Sequence, residues 1–133
     1  ALRDGSIDAL CSDHTPVDEN EKQVPFGESA PGASGVELLL PLTLKWAREM
    51  GVPLMQAIDL ISWKPAQILG VPGGNLAVGS CADICVFDEH ADWVVTPKSL
   101  ISQSHNTPFL NLPMQGRVRY TLIDGHLDFE SAH

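Results

Sequence analysis

The hydrophobic period changes once along this chain, at Val71-Pro72-Gly73-Gly74, and that break limits the folds open to it. Upstream, after one short apolar run, apolar residues recur at helical spacing; downstream they alternate or cluster as they do in strands. Ser34-Gly35-Val36-Glu37 fits a capping box, in which a hydroxyl and a carboxylate satisfy the first free backbone donors, so a helix should begin there. Leu38, Leu39, Leu42, Trp46 and Met50 make a wide apolar stripe suited to packing on strands, opposite Glu37, Lys45, Arg48 and Glu49. Pro41 lacks a donor and should kink this helix, while Gly51 and Pro53 mark its end. Pro53 also suits the first turn of a second helix, Leu54 to Ile61, and Ser62 can cap a third that ends at Gly70.

Beyond the break, Ala82 to Phe87, Trp93 to Thr96 and Arg117 to Ile123 read as strands. Asp124-Gly125 is a hairpin turn leading into His126-Leu127-Asp128-Phe129. Arg117, Arg119 and Thr121 alternate with Val118, Tyr120 and Leu122, which predicts one wet and one dry face. The chain therefore divides into residues 1–72 and residues 73–133.

Composition excludes some functions. With 133 residues, 44% of them hydrophobic, the chain can bury a core. Seventeen acidic against eight basic residues give a formal charge of −9 without any basic stripe, which argues against nucleic acid. No apolar stretch reaches the roughly eighteen residues of a membrane span, since Glu37, Pro41 and Thr43 interrupt the best one. Cys11, Cys81 and Cys85 are odd in number and lie in apolar, strand-like surroundings, which predicts reduced, buried thiols and a cytoplasmic protein. Cys81 and Cys85 have no second Cys or His pair at zinc spacing, so no structural zinc is expected there.

The chemistry points to Asp13. It ends the apolar run Ile7-Asp8-Ala9-Leu10-Cys11-Ser12 and precedes His14-Thr15-Pro16, so it stands where a buried strand gives way to a loop. A carboxylate there costs desolvation energy unless a metal, a cation or donors compensate, and in α/β barrels that edge carries the chemistry. The residues from Thr15 to Ala33 then form a long loop rich in Pro, Glu, Asp and Gly, of the length usually kept for function.

The Asp13-His14-Thr15-Pro16 stretch, the Pro25-Phe26-Gly27-Glu28-Ser29-Ala30-Pro31-Gly32-Ala33-Ser34-Gly35 loop and Pro65-Ala66-Gln67-Ile68-Leu69-Gly70 recur in one order with Gly79-Ser80-Cys81-Ala82-Asp83-Ile84 and Asn106-Thr107-Pro108-Phe109. Together they resemble the last barrel strand and following segments of the class I dihydroorotases, cyclic amidohydrolases of pyrimidine biosynthesis. The resemblance implies an α/β fold: the C-terminal segment of an amidohydrolase (β/α)8 barrel over residues 1–72, then strands of a small β-sandwich over residues 73–133. It also implies a parent protein roughly three times longer, with seven earlier barrel strands.

In that family a metal-bound hydroxide attacks a ring amide, since a divalent cation lowers the pKa of water. The resemblance gives Asp13 two roles, proton shuttle and zinc ligand, and leaves the remaining zinc ligands outside this chain. It gives Pro31 and Gly32 the backbone that approaches the substrate, where a missing side chain allows close contact; the same residues also suit a simple Pro-Gly turn. His14, adjacent to Asp13, should face the opposite way and pack rather than ligate. His90, His105, His126 and His133 are isolated, and none forms the His-x-His pair that opens the family's metal site.

Two departures stand out. Where the family usually reads Asp-His-Ala-Pro-His and binds substrate with the second His, this chain has Val17. Losing a charge-assisted hydrogen bond costs about 1.5–3 kcal/mol. Ser62-Trp63-Lys64-Pro65 also replaces a Thr-x-Asn-Pro stretch of structural character. The resemblance thus implies a zinc-dependent dihydroorotase, interconverting N-carbamoyl-L-aspartate and dihydroorotate. The alternative is a non-catalytic dihydroorotase-like subunit that assembles with aspartate carbamoyltransferase. A homo-oligomer is expected either way, and this chain alone is expected to be inactive. A hydantoinase or allantoinase fits the loop spacing less well.

Overall fold

The structure is a computed structural model that describes residues 1–131, so His133 lies outside the described residues. A one-turn helix α1 (Glu19–Lys22) precedes a 3₁₀ turn (Val36–Leu38), which leads directly into α2 (Leu39–Met50). Helices α3 (Leu54–Asp59) and α4 (Trp63–Leu69) follow, then strands β1 (Ile84–Val94), β2 (Pro113–Ile123) and β3 (His126–Glu130). The strands form one antiparallel sheet in the order β1-β2-β3.

The ends of α2 and α4 fall where the sequence places them, while α3 stops at Asp59, two residues short of Ile61. Gly51 and Gly70 take left-handed φ values of 64° and 65°, returning their N–H groups to the last turns of α2 and α4. Asp124 and Gly125 both have positive φ, 49° and 78°, as a type I′ hairpin between β2 and β3 requires.

Helix α2 lies on the sheet through Gly116. This residue has φ 101°, and a Cβ on it would collide with Leu44. Opposite Gly116 the ladder slips, pairing Asp88 with Arg117 and then Asp92 with Gln115, so Glu89, His90 and Ala91 bulge outward. Arg48 reaches from α2 to the bulge, donating to the carbonyl of Glu89 at 3.2 Å. Trp93 Nε1 donates to Gly116 O at 3.0 Å, and the Arg117 guanidinium sits 5.3 Å over the Trp93 ring. The core joins both halves of the chain: Leu38, Val95, Leu100 and Met114 are buried together, with Leu42, Trp93, Phe109 and Leu110 around them. Burying side chains of this kind stabilises by about 1.5–3 kcal/mol each.

Several expectations change. The run Ile7 to Ser12 is not a strand, because among the described residues no extended neighbour pairs with it; the Leu10 N–H on Leu60 O, 2.8 Å, ties it to the helices. The two predicted strands 82–87 and 93–96 are one bulged strand. The loop after Asp13 contains α1, capped by the Asp18 carboxylate. The capping box does not form, since Ser34 and Glu37 are drawn to a distant segment. Pro41 falls in the first turn of α2, where no intrahelical donor is required, and the helix runs unbroken to Met50. The buried face of that helix runs through Pro41, Leu44 and Ala47, and Met50 is exposed. All three cysteines are free and exposed, since none of the described residues buries them. The dry face predicted for β2 is open too, with Tyr120 exposed beside an exposed Val86.

Candidate functional site

Asp13 has φ 45°, unusual for a residue with a side chain, and is exposed at the point where the chain turns into the long loop. The turn separates it from its neighbour. The His14 imidazole points back to the start of the helical layer, where Nδ1 accepts the N–H groups of Gly35 and Val36 at 3.1 and 3.3 Å. His14 thus does the work the capping box would have done. The packing role read from the sequence is what the structure shows.

Pro31 and Gly32 lie beside this turn. Thr15 N–H donates to Ala33 O at 3.0 Å, placing the Pro31–Gly32–Ala33 stretch alongside Asp13–His14–Thr15. Gly32 has φ 135°, and a Cβ there would stand 2.5 Å from Thr15 O and 2.8 Å from Val17 Cγ2. Only glycine permits this approach. Gly35 is equally confined, with Ser12 O 2.8 Å from a hypothetical Cβ. Val17 is buried at 7% exposure, with its side chain against Gly32.

A third segment, residues 101–107, holds the other two in register. Glu37 accepts the N–H groups of Ile101 and Ser102, one on each carboxylate oxygen, both at 2.8 Å. Ser34 Oγ donates to Ser104 O at 2.7 Å, and Ser34 N–H donates to Asn106 O at 2.7 Å. Ser104 Oγ donates to Val17 O at 2.8 Å, and Asn106 Nδ2 donates to Gly32 O at 3.0 Å. Sequence reading missed Glu37, Ser104 and Asn106 in this role. Only the polarity of Ser102-Gln103-Ser104-His105-Asn106 could have hinted at it, since their partners lie more than sixty residues away.

An open cleft of about 630 Å³ runs beside this junction, lined by His14, Val17 and Glu19 on one side and Ser102, Ser104 and His105 on the other. His105 Nδ1 lies 3.7 Å from the Glu19 carboxylate across it. Asp13 is not part of its lining.

Among the described residues no three His, Cys, Asp or Glu side chains come together to hold a metal. Asp13 therefore belongs to no such group, and the described residues by themselves do not fit a zinc site. Nor are Cys81 and Cys85 activated. Loss of hydration, reinforced by its hydrogen bond to Asp124, pushes the Cys81 thiol up, and loss of hydration pushes up Cys85. Both changes work against the thiolate a nucleophile needs.

An exposed carboxylate at the root of a Gly-rich loop is followed by helices and an antiparallel sheet, and residues 1–127 match the Amidohydrolase family. The chain belongs to that family. It is 41% identical over 124 residues to the dihydroorotase of Geotalea daltonii, covering 93% of this chain and 29% of that protein. It is 40% identical over 130 residues to a dihydroorotase-like protein of Pseudomonas aeruginosa, covering 98% and 30%. Its fold superposes on the dihydropyrimidinase of Brevibacillus agri with a TM-score of 0.90 at 25% identity, over 97% of this chain and 30% of that one. The L-hydantoinase (dihydropyrimidinase) of Arthrobacter aurescens gives 0.84 at 30% identity, over 99% and 31%. The chain thus spans under a third of the length of the relatives it matches. No described helix is long and apolar enough to cross a membrane.

Proposed function

We propose that this chain is the C-terminal part of a dihydroorotase, a cyclic amidohydrolase of pyrimidine biosynthesis that interconverts N-carbamoyl-L-aspartate and dihydroorotate. In this reading residues 1–72 end a (β/α)8 barrel and residues 73–133 complete a small β-sandwich. The observation that carries it is the direct docking of the Asp13 turn on the Pro31–Gly32 loop, through Thr15 N–H on Ala33 O and a glycine with no room for a side chain. That backbone contact supports a reading in which the Asp13 carboxylate and a stretch of backbone able to read a flat ring amide serve one site. Asp13 would accept a proton at the reacting centre and return it to the departing nitrogen. Zinc enters only as a property of the whole protein, to which this chain would contribute Asp13 alone. Protein of full length would be cytoplasmic and homo-oligomeric.

A second reading rests on Val17. Its buried isopropyl group packs on Gly32 where the resemblance calls for a substrate-binding histidine, and it offers an anionic substrate nothing to bond. A non-catalytic subunit assembled with aspartate carbamoyltransferase would tolerate that loss. The two relatives cited by sequence, one named a dihydroorotase and one dihydroorotase-like, match the chain almost equally. Metal analysis and a ring-closure assay on the full-length protein separate the readings. Bound zinc with turnover supports the enzyme; a folded, metal-free, inactive protein that co-purifies with the carbamoyltransferase supports the subunit.

A further inference from the structure

We infer that Asn106 is a positioning residue, whose side chain sets the stance of the Pro31–Gly32 turn against the Asp13 loop. Asn106 grips the loop on both sides of Ala33: its Nδ2 donates to Gly32 O at 3.0 Å and its own carbonyl accepts Ser34 N–H at 2.7 Å. The opposite edge of the same stretch is held by Thr15, whose N–H donates to Ala33 O. Residues 32–34 are therefore clamped between two segments, one carrying Asp13 and one carrying Asn106.

The clamp is rigid because its outer jaw is anchored independently. Glu37 takes the N–H groups of Ile101 and Ser102, and Ser104 bonds to both Ser34 and Val17. Gly32 needs such a restraint. It has no side chain to lock it, and glycine visits many backbone states that its φ of 135° does not represent. Replacing the Asn106 amide by a carboxylate keeps the shape but sets an acceptor against the Gly32 carbonyl, so the turn should lose its preferred stance while the fold persists.

The test uses the full-length protein carrying Asn106→Asp, with amide hydrogen exchange, melting temperature, KM and kcat measured together. Exchange over residues 32–34 should accelerate about tenfold, while α2 and the sheet keep wild-type rates. KM for the cyclic substrate should rise about three- to tenfold, the worth of one neutral hydrogen bond, with kcat nearly unchanged. The kinetic arm rests on the dihydroorotase reading and the exchange arm does not. A wild-type protein without turnover sinks that reading, and exchange alone then decides the role of Asn106. Unchanged exchange at residues 32–34 overturns the inference, as does acceleration spread evenly over the protein. If Asn106→Asp does not fold, Ser104→Ala must produce a smaller, loop-confined acceleration, and its failure to do so counts equally against the clamp.

Discussion

The sheet formed by β1, β2 and β3 and the junction around Asp13 are held together by opposite means. In the sheet, consecutive backbone groups pair with consecutive backbone groups, and side chains decide mainly which face is up. At the junction the three segments run without a regular ladder, and much of what fastens them is a side chain reaching a backbone group: His14 to Gly35 and Val36, Glu37 to Ile101 and Ser102, Asn106 to Gly32. A ladder spreads its stability over many equivalent bonds. The junction concentrates it in a few residues, each of which fixes a place where chemistry is proposed.

The sharpest way to break this contrast is to strike the sheet where it too depends on one residue. Gly116→Val introduces a branched side chain at φ 101° and drives it into Leu44, combining backbone strain with overpacking. It should destabilise the protein by about 4 kcal/mol in urea denaturation. A loss under about 1 kcal/mol would show that α2 slides freely over the sheet. At the junction, Gly32→Ala meets Thr15 O and Val17, and should cost about 1–3 kcal/mol while opening the segment from Thr15 to Ala33 to limited proteolysis. Equal protection of variant and wild type would mean that the loop is not docked through Gly32.

His14→Ala sharpens the contrast further. It leaves two helix-start donors without their acceptor and should cost about 1 kcal/mol, comparable to losing an N-cap. Asn at the same position should restore part of it. The smallest effect belongs to the sheet surface, where the His90 N–H and then Arg119 hold the Asp88 carboxyl below the usual carboxylate range. Because the folded pKa is depressed, the contribution of Asp88 is present above its unfolded value and fades as pH falls through the folded one. The stability difference between wild type and Asp88→Asn should therefore shrink on acidification below about pH 4. A difference flat from neutral to strongly acidic pH would mean that the pair is solvent-screened into irrelevance.

The same contrast explains what could be read from the chain. Gly51, Gly70 and Asp124-Gly125 were legible because a left-handed turn is a local demand that only a few residues meet. The packing role of His14 was read from strand alternation, whereas the positive-φ turn at Asp13 is what parts the two neighbours. The capping box failed for the opposite reason. Ser34 and Glu37 carry the right groups at the right spacing, but acceptors and donors from residues 101–106 outcompete the local ones, and no rule of spacing reveals them. The unformed strand before Asp13 teaches the same lesson, since an apolar run becomes a strand only when another lies beside it. The break between β-runs at 88–92 proved to be a bulge within one strand, lying opposite Gly116 in the ladder.

The loop that begins after Asp13 is fastened at both roots, with Val17 O held by Ser104 and Gly32 O by Asn106. Between those posts it is cross-braced, for Lys22 reaches Ala30 O and Ala30 N–H reaches Glu21 O. Any swing of residues 18–31 must therefore turn at the two roots and carry the intervening residues as one stiff flap, its outer edge marked by the fully bared ring of Phe26.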